Sequence, residues 1–467
     1  MIRTKYKVLL LVLFVTTFVS CKKEFLELDP PTAVVPGDAL GTEADLNIAL
    51  RGAYAGLRSV NLFGRTVPML GDIMADNTYQ HATNGNRYTL YNNYTFNITD
   101  GDASGMWASG YNVILRVNNI INAGVASSAG VDHIKGEAYA IRALTYYTLV
   151  RFFARPYTDN PGGLGVPIIT AYDPFLKPGR STIEEVYALI RSDLNSAFTM
   201  MSKYTNSSQF SKYAAKALEA KVLLSMGMKA EAKTAALDVI NNGPFTPVSE
   251  GAYFAYWQDP AITTNQVETI FEVSSDAVGN LQFDALGYLY SQGGNYGDYV
   301  VNPEFFALFD ADDVRRELYP MTPRPKPSGT PIIAVEKYPA LNGDRNDTKV
   351  IRLSEMYLIA AEGSLPASEA DARQYVNFIT SRRGADEITS SGADLLEDIL
   401  EERRKELAFE GERYHDLQRL MRPVVRSTDY PADARTIEYS NYRRILPIPQ
   451  VEVDANPTIR TQQNPNF

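Results

Sequence analysis

The sequence predicts a mainly α-helical protein whose helical hairpins carry a long, loop-rich insertion. Three observations lead there. Stretches with apolar residues three and four apart fill most of 42–243 and 349–421, the period of a helix with one buried face. Within them, 211–243 divides at Met226-Gly227 and closes at Gly243-Pro244, the punctuation of two consecutive helices. Between the two helical regions, 245–345 changes texture to Gly, Pro, Tyr, Asn and Asp, with one strand-like run from Glu268 to Val273.

The elements follow in order. Met1 to Lys7 is basic and Val8 to Ser20 is apolar. That run is too short for a bilayer span, which takes about 20 residues, but it suits a secretory signal over 1–20. The sole cysteine, Cys21, follows directly. A small residue before a cysteine at the end of such a run reads as a lipidation signal, although Phe18 stands where Leu is usual. The expectation is therefore an exported lipoprotein acylated at Cys21; the competing reading is a plain signal peptide. The Pro-rich segment 21–41 reads as a tether. Next comes a helix with Leu46, Leu50, Ala53, Tyr54 and Leu57 on one face and Thr42 as its cap. A second helix runs from about Gly105 to Ala123, with Trp107 in its apolar stripe, and a third over 131–154. Ser181 and Glu184 predict a capping box for a fourth over 182–200. The pair at 211–243 has Ala214, Ala217, Ala220, Ala230 and Ala232 at close-approach positions and resembles a tetratricopeptide hairpin. A second pair is expected at 349–364 and 367–383. From Pro423 onward prolines are too frequent for long helices.

Composition excludes several functions. A net charge of −10 argues against a nucleic-acid binder, which needs a basic face. One cysteine permits neither an intramolecular disulfide nor a cysteine-based zinc site, and only His81, His133 and His415 are present. No nucleophile elbow, zincin motif or phosphate loop occurs. Asp100, Asp102 and Ser104 match half of a calcium loop, but Tyr111 stands at its twelfth position, so the segment reads as a helix-capping turn. The charge-dense stretch Glu401–Arg422 reads as packed helices with buried arginine–carboxylate links, along a stripe of Leu396, Ile399, Leu400, Arg403 and Leu407. His133 and His415 read as structural. No catalytic residue, cofactor or metal site is predicted.

Ordered blocks then resemble the SusD/RagB family. They include Cys21 to Glu27, GEAYAIRALTYYTLVRFFARPY (136–157), RSTIEEVYALIRSDL (180–194), YAAKALEAKVLLSMG (213–227) and ETIFEV (268–273). VIRLSEMYLIAAE (350–362), VNFITSRRGA (376–385), ILEERRKELAFEGERYHDLQRLMR (399–422), LPIPQVEVDANP (446–457) and QNP (463–465) complete the series. The resemblance implies a SusD-like fold with four tetratricopeptide-like hairpins, an N-terminal region over 42–245 and a C-terminal region over 246–467 with its insertion at 246–345. It further implies lipid anchorage at the outer membrane, facing outside, and a SusC-like TonB-dependent transporter as partner. Ligands would be oligosaccharides or, in some members, peptides, bound without catalysis. A lipid-anchored glycosidase and a helical scaffold that binds only proteins are the competing readings.

Sugars offer apolar faces and rings of hydroxyls, so a binder combines flat aromatics with amides and charged groups. Two segments have that mixture, and the family's ligand contacts come from loops at these two places. Residues 76–97 supply Asn84, Arg87, Tyr88 and Tyr91; residues 280–300 supply Tyr288, Gln292, Asn295 and Tyr296. The tyrosines are expected to stack on ligand and the others to meet hydroxyls. The opposing reading is that these tyrosines pack the loops onto the helices. Trp107 is expected in the core, and Trp257 is left open.

Overall fold

The computed structural model describes residues 40–259, 264–293, 296–324, 331–339, 341 and 346–467. The signal segment, Cys21, nearly all of the tether and Asn295 lie outside those residues.

Helix α1 (Glu43–Leu57) begins where expected. Thr42 Oγ1 accepts from the Asp45 N–H, and the Asp45 carboxylate accepts from the Thr42 N–H at 3.0 Å, a reciprocal capping box. Leu46, Leu50, Ala53 and Leu57 are buried on one face. Helix α2 (Thr66–Ile73), unforeseen in the sequence, is buried all round, so it shows no amphipathic period. Then come α3 (Gly101–Asn122), α4 (Ala129–Phe153), α5 (Ile183–Met200), α6 (Lys212–Ser225) and α7 (Lys229–Asn242). Each of α3 to α7 packs on the next, and α1 lies against α3 and α4. Central α4 meets α5 through a bidentate pair, Arg142 Nε and Nη2 each 2.7 Å from Asp193. The cap of α5 is Thr182 with Glu185, one residue beyond the expected pair. Ser181 is used otherwise: its carbonyl accepts from Gly165 N–H and its own N–H donates to Val166, which holds it extended. In the α6–α7 hairpin Ala214, Ala217, Ala220 and Ala232 are buried, whereas Ala230 is exposed.

The second helical region holds α8 (Leu353–Gly363), α9 (Glu369–Thr380), α10 (Gly392–Glu406) and α11 (Arg413–Arg419). Helix α8 packs on α7, α9 and α10, so the stack continues across the insertion. The strands are β1 (Thr78–Gln80), β2 (Thr269–Val273), β3 (Tyr299–Val301), β4 (Met321–Pro323), β5 (Pro331–Ile333), β6 (Thr348–Arg352), β7 (Val424–Val425) and β8 (Thr436–Ile437). Among the described residues they form two-stranded sheets β1–β3, β2–β6, β4–β5 and β7–β8. The helix expected from 349 therefore starts later. Residues 348–352 complete β2, whose backbone groups need a partner, and Thr, Val and Ile suit that role. On α10, Leu395 rather than Leu396 is the fully buried leucine.

The charge-dense stretch lies inside the molecule. Glu406 accepts from Arg383 (2.8 Å), Arg352 (2.8 Å) and Arg315 (3.2 Å), and all four side chains are buried. Arg352 also binds Glu268 and Glu410, and Arg315 binds Glu402 and Asp313. Burial disfavours the Glu406 carboxylate, but the three guanidiniums outweigh it and hold its pKa well below the usual range. A neighbouring set joins Arg403 to Glu355 and Asp416, and Arg419 to Glu362. These links tie α10 and α11 to α8 and β6, beside the apolar cluster that joins Leu395 and Ile399 of α10 to Leu358 of α8. Beside them α2 meets the 409–411 turn backbone to backbone: a Cβ on Gly71 would stand 2.0 Å from the Gly411 carbonyl oxygen.

Candidate functional site

The antiparallel pairing of β1 with β3, Tyr79 opposite Val300, brings the two aromatic segments onto one face. Further bonds lock them. His81 N–H donates to the Asp298 carbonyl (2.9 Å), Gly85 N–H to the Asp298 carboxylate (2.8 Å) and the Tyr299 hydroxyl to the Arg87 carbonyl (2.9 Å). Arg324 reaches across both, bonding the carbonyls of Thr83 and Gly297.

The eight candidate side chains separate on this frame. Tyr91 is 0 % exposed; its ring stacks on Phe96 at 4.9 Å and its hydroxyl donates to Asp100. Tyr88 is buried too, at a left-handed φ of 56°, with its hydroxyl bonded to Arg65 Nε (2.8 Å) and Thr66 Oγ1 (2.8 Å). Both are floor, as the packing reading had it. Tyr288 is likewise buried and donates to the Leu341 carbonyl (2.7 Å). Tyr296 is half-buried, and Arg87 lies 3.4 Å over its ring, so one of its faces is occupied. Asn84 closes a turn: its amide donates to His81 O (2.6 Å) and its oxygen accepts from Asn86 N–H (2.7 Å). Gln292 bonds the carbonyls of Tyr290 and Gly297, both at 3.2 Å. Asn295 lies outside the described residues.

One aromatic was missed in the sequence. Phe283 is 53 % exposed, and its ring stands edge-on to Tyr288 at 5.3 Å. Tyr288 in turn meets Tyr296 at 6.3 Å, which makes a file of three rings ending at Arg87. Beside Phe283, Asp284 binds Arg65 at 3.0 Å and fixes the loop to the start of α2. The signal was present as an aromatic between Gln282 and Asp284 in a polar run, but counting tyrosines passed over it.

Straps from the C-terminal part hold the 73–92 segment below. Asp76 binds Arg413 (2.8 Å) and Arg404 (3.4 Å). Burial opposes its ionisation, yet these two guanidiniums hold its pKa at about 2. Asp72 accepts from the N–H groups of Phe409 (3.2 Å) and Gly411 (3.1 Å), and burial pushes its pKa up to about 8. Asp100 caps α3 through the N–H groups of Asp102 and Ala103, so the half calcium motif is a helix-capping turn. Trp107 and Trp257 are both in the core. His133 and His415 are buried.

Known proteins share this architecture. Residues 24–224 match a family model described as starch-binding, associating with the outer membrane, and residues 333–467 match the SusD family model. A SusD-like protein P2 from Formosa agariphila is 31 % identical, over 89 % of this chain and 90 % of that one. A SusD superfamily protein of known structure from Bacteroides thetaiotaomicron superposes with a TM-score of 0.83 at 32 % identity, covering 91 % of this chain and all of that one. A SusD-like carbohydrate binding protein from Bacteroides vulgatus, at 22 % identity and a TM-score of 0.79, shares the fold. The chain belongs to the SusD/RagB family. Proteins of this family bind and do not catalyse.

Proposed function

We propose that this protein is a lipid-anchored glycan-binding protein of the outer cell surface, which captures an oligosaccharide and delivers it to a SusC-like TonB-dependent transporter. The chain is then a signal segment 1–20, a lipidated tether 21–41, and one structural unit made of 42–245 and 246–467. The family resemblance implies four tetratricopeptide-like hairpins, with α6/α7 and α8/α9 as two of them. The observation that carries the reading is the ring file of Phe283, Tyr288 and Tyr296, which ends at the Arg87 guanidinium. Phe283, Tyr288 and Tyr296 would meet sugar faces. Arg87, Asn84, Gln292 and Asn295 would meet hydroxyls, with Tyr88 and Tyr91 supporting from beneath. The description of the matching family model as starch-binding supports a carbohydrate ligand.

Calorimetric titration with soluble starch fragments and with oligosaccharides of other linkages tests the ligand. Binding to one of them is expected, with no turnover product. Binding of peptides but no glycan would replace the ligand class. Cys21→Ala tests the anchor: the mature protein should lose its acyl mass and leave the membrane fraction. Retention there after a high-salt wash would overturn the lipoprotein assignment.

A further inference from the structure

A cavity of 190 Å³ opens between α1, the turn before Phe210 and the end of β2. Its polar lining comes from Arg51, Tyr54, Arg58, Ser208, Gln209 and Ser274. Arg51 and Arg58 stand seven residues apart, two helical turns, so they share one face. No Asp or Glu is among the described residues that line the cavity, although the chain as a whole carries −10. The nearby carboxylates are bonded to other groups. Glu137 accepts from the Tyr54 hydroxyl (2.5 Å), Glu272 accepts from Ser207, Asp347 accepts from Ser275 N–H (2.7 Å), and Asp276, on the loop beside Arg58, accepts from the N–H groups of Val278 (2.8 Å) and Gly279 (2.7 Å). Arg58 Nη1 donates to a neutral group, the Ser274 carbonyl, at 3.1 Å.

We propose that this cavity is an oxyanion site, which takes the sulfate or carboxylate substituent of an acidic sugar. A guanidinium fork matches the paired oxygens of either group, and two forks on one wall supply charge that no carboxylate among the described lining residues offsets. The volume is below that of a pocket for a whole drug-sized ligand, so it suits a substituent rather than a sugar chain. The site adjoins the ring file through the backbone. Ser274 leads directly into the loop that carries Phe283, and Gly279 of that loop lies so near Arg58 that an added Cβ would stand 2.2 Å from Arg58 Nη2. An acidic substituent at Arg58 would thus belong to a chain that reaches Phe283. That part of the proposal rests on the glycan reading above; the anion site itself does not.

The first test is titration of the full chain with sodium sulfate against sodium chloride at matched ionic strength. Saturable sulfate binding is expected, weakened about tenfold or more in R51Q/R58Q, the loss typical of hydrogen bonds to a charged group. No saturable sulfate signal, or equal binding by the double variant, would overturn the site. Because Arg58 also holds Ser274, the exposed Arg51→Gln is measured alone; it should keep the parent melting temperature and still weaken sulfate severalfold. Unchanged affinity there would overturn the two-arginine site. The second arm compares a uronate-bearing oligosaccharide with the same chain reduced to its neutral sugar. The acidic form should bind more tightly to the parent and lose that advantage in R51Q/R58Q. Sulfate binding without such a preference would confine the site to free anions and overturn its role in glycan binding. Loss of all glycan binding with sulfate binding intact would instead count against the function proposed above.

Discussion

The helical core around α10 and the face built on β1 and β3 bury opposite kinds of residue. Around α10, charged side chains are inside, and each guanidinium is matched by carboxylates from other elements. On the β1–β3 face, tyrosines are inside, each hydroxyl spent on a nearby oxygen. In both places the residues that look like surface in a sequence are structure. The charge-dense stretch is packed inside, and of the tyrosines in the two loop segments Tyr88, Tyr91 and Tyr288 are buried. The aromatic surface left open on the loop face is narrower: Phe283 and part of Tyr296, beside Arg87.

This contrast can be broken from the core side first. Glu406→Gln removes the charge that three buried guanidiniums share, and leaving buried ions unpaired costs roughly 3–5 kcal/mol. Urea unfolding should show a loss of that size, or no folded protein. A change below about 1 kcal/mol would show that water reaches the cluster. Tyr91→Ala is the matching cut beneath the loop face. It opens a cavity under Phe96, with an expected cost of about 3–5 kcal/mol as for other buried aromatics. Tyr91→Phe, which loses only the bond to Asp100, should cost about 1 kcal/mol.

A third experiment uses pH. Asp72 at about 8 and Glu137 at about 7 are both raised, each chiefly by burial. The folded state then holds protons that the unfolded state has released, so stability should rise as pH falls from about 8 toward 5. Asp76 is the reverse case. Its stabilising ionisation is fully present above the unfolded value of about 4 and is lost as pH falls through about 2. A melting-temperature maximum near pH 5 is expected, and Asp72→Asn should flatten the alkaline limb. A limb of equal slope in that variant would remove Asp72 from the account.

The smallest effect on stability is expected at Phe283, whose ring is half in solvent. Phe283→Ala should leave the unfolding midpoint nearly unchanged, within about 0.5 kcal/mol. Affinity for the bound oligosaccharide should nonetheless fall by about tenfold, as loss of one well-placed contact ring implies. A variant that binds like the parent would move the site off the ring file.

The scaffold was legible because helices announce themselves by period and cap: Thr42, the Met226-Gly227 break and the buried leucines of α1 all stand where local rules put them. Helix α2 was not legible, since burial on every side erases the polar stripe that a period needs. The start of α8 slipped because Thr348–Arg352 satisfies a helical pattern as well as a strand one, and only the distant β2 decides between them. The two loop segments, singled out by composition, lie side by side through β1 and β3, a contact across more than two hundred residues that composition alone does not show. Individual exposure was not legible. Tyr88 and Tyr288 have similar local settings in the sequence, and whether a ring faces inward depends on Arg65, Thr66 and Leu341, which are fixed only by the completed fold.

The straps beneath the loop face bear on how the chain is made. Arg426 binds the carbonyls of Ile73, Ala75 and Asn92, across separations of 353, 351 and 334 residues, and Tyr430 binds that of Thr78 across 352. A ribosome or a translocation pore delivers the amino end first, so the 73–92 segment emerges without the groups that hold it. During that interval α1 and α3 to α6 gain their helical neighbours, whereas α2 lacks the 409–411 turn and β1 has neither its partner strand nor its straps. The loop face thus gains its full set of bonds only after Arg426 and Tyr430 have been delivered, when nearly all of the chain is out.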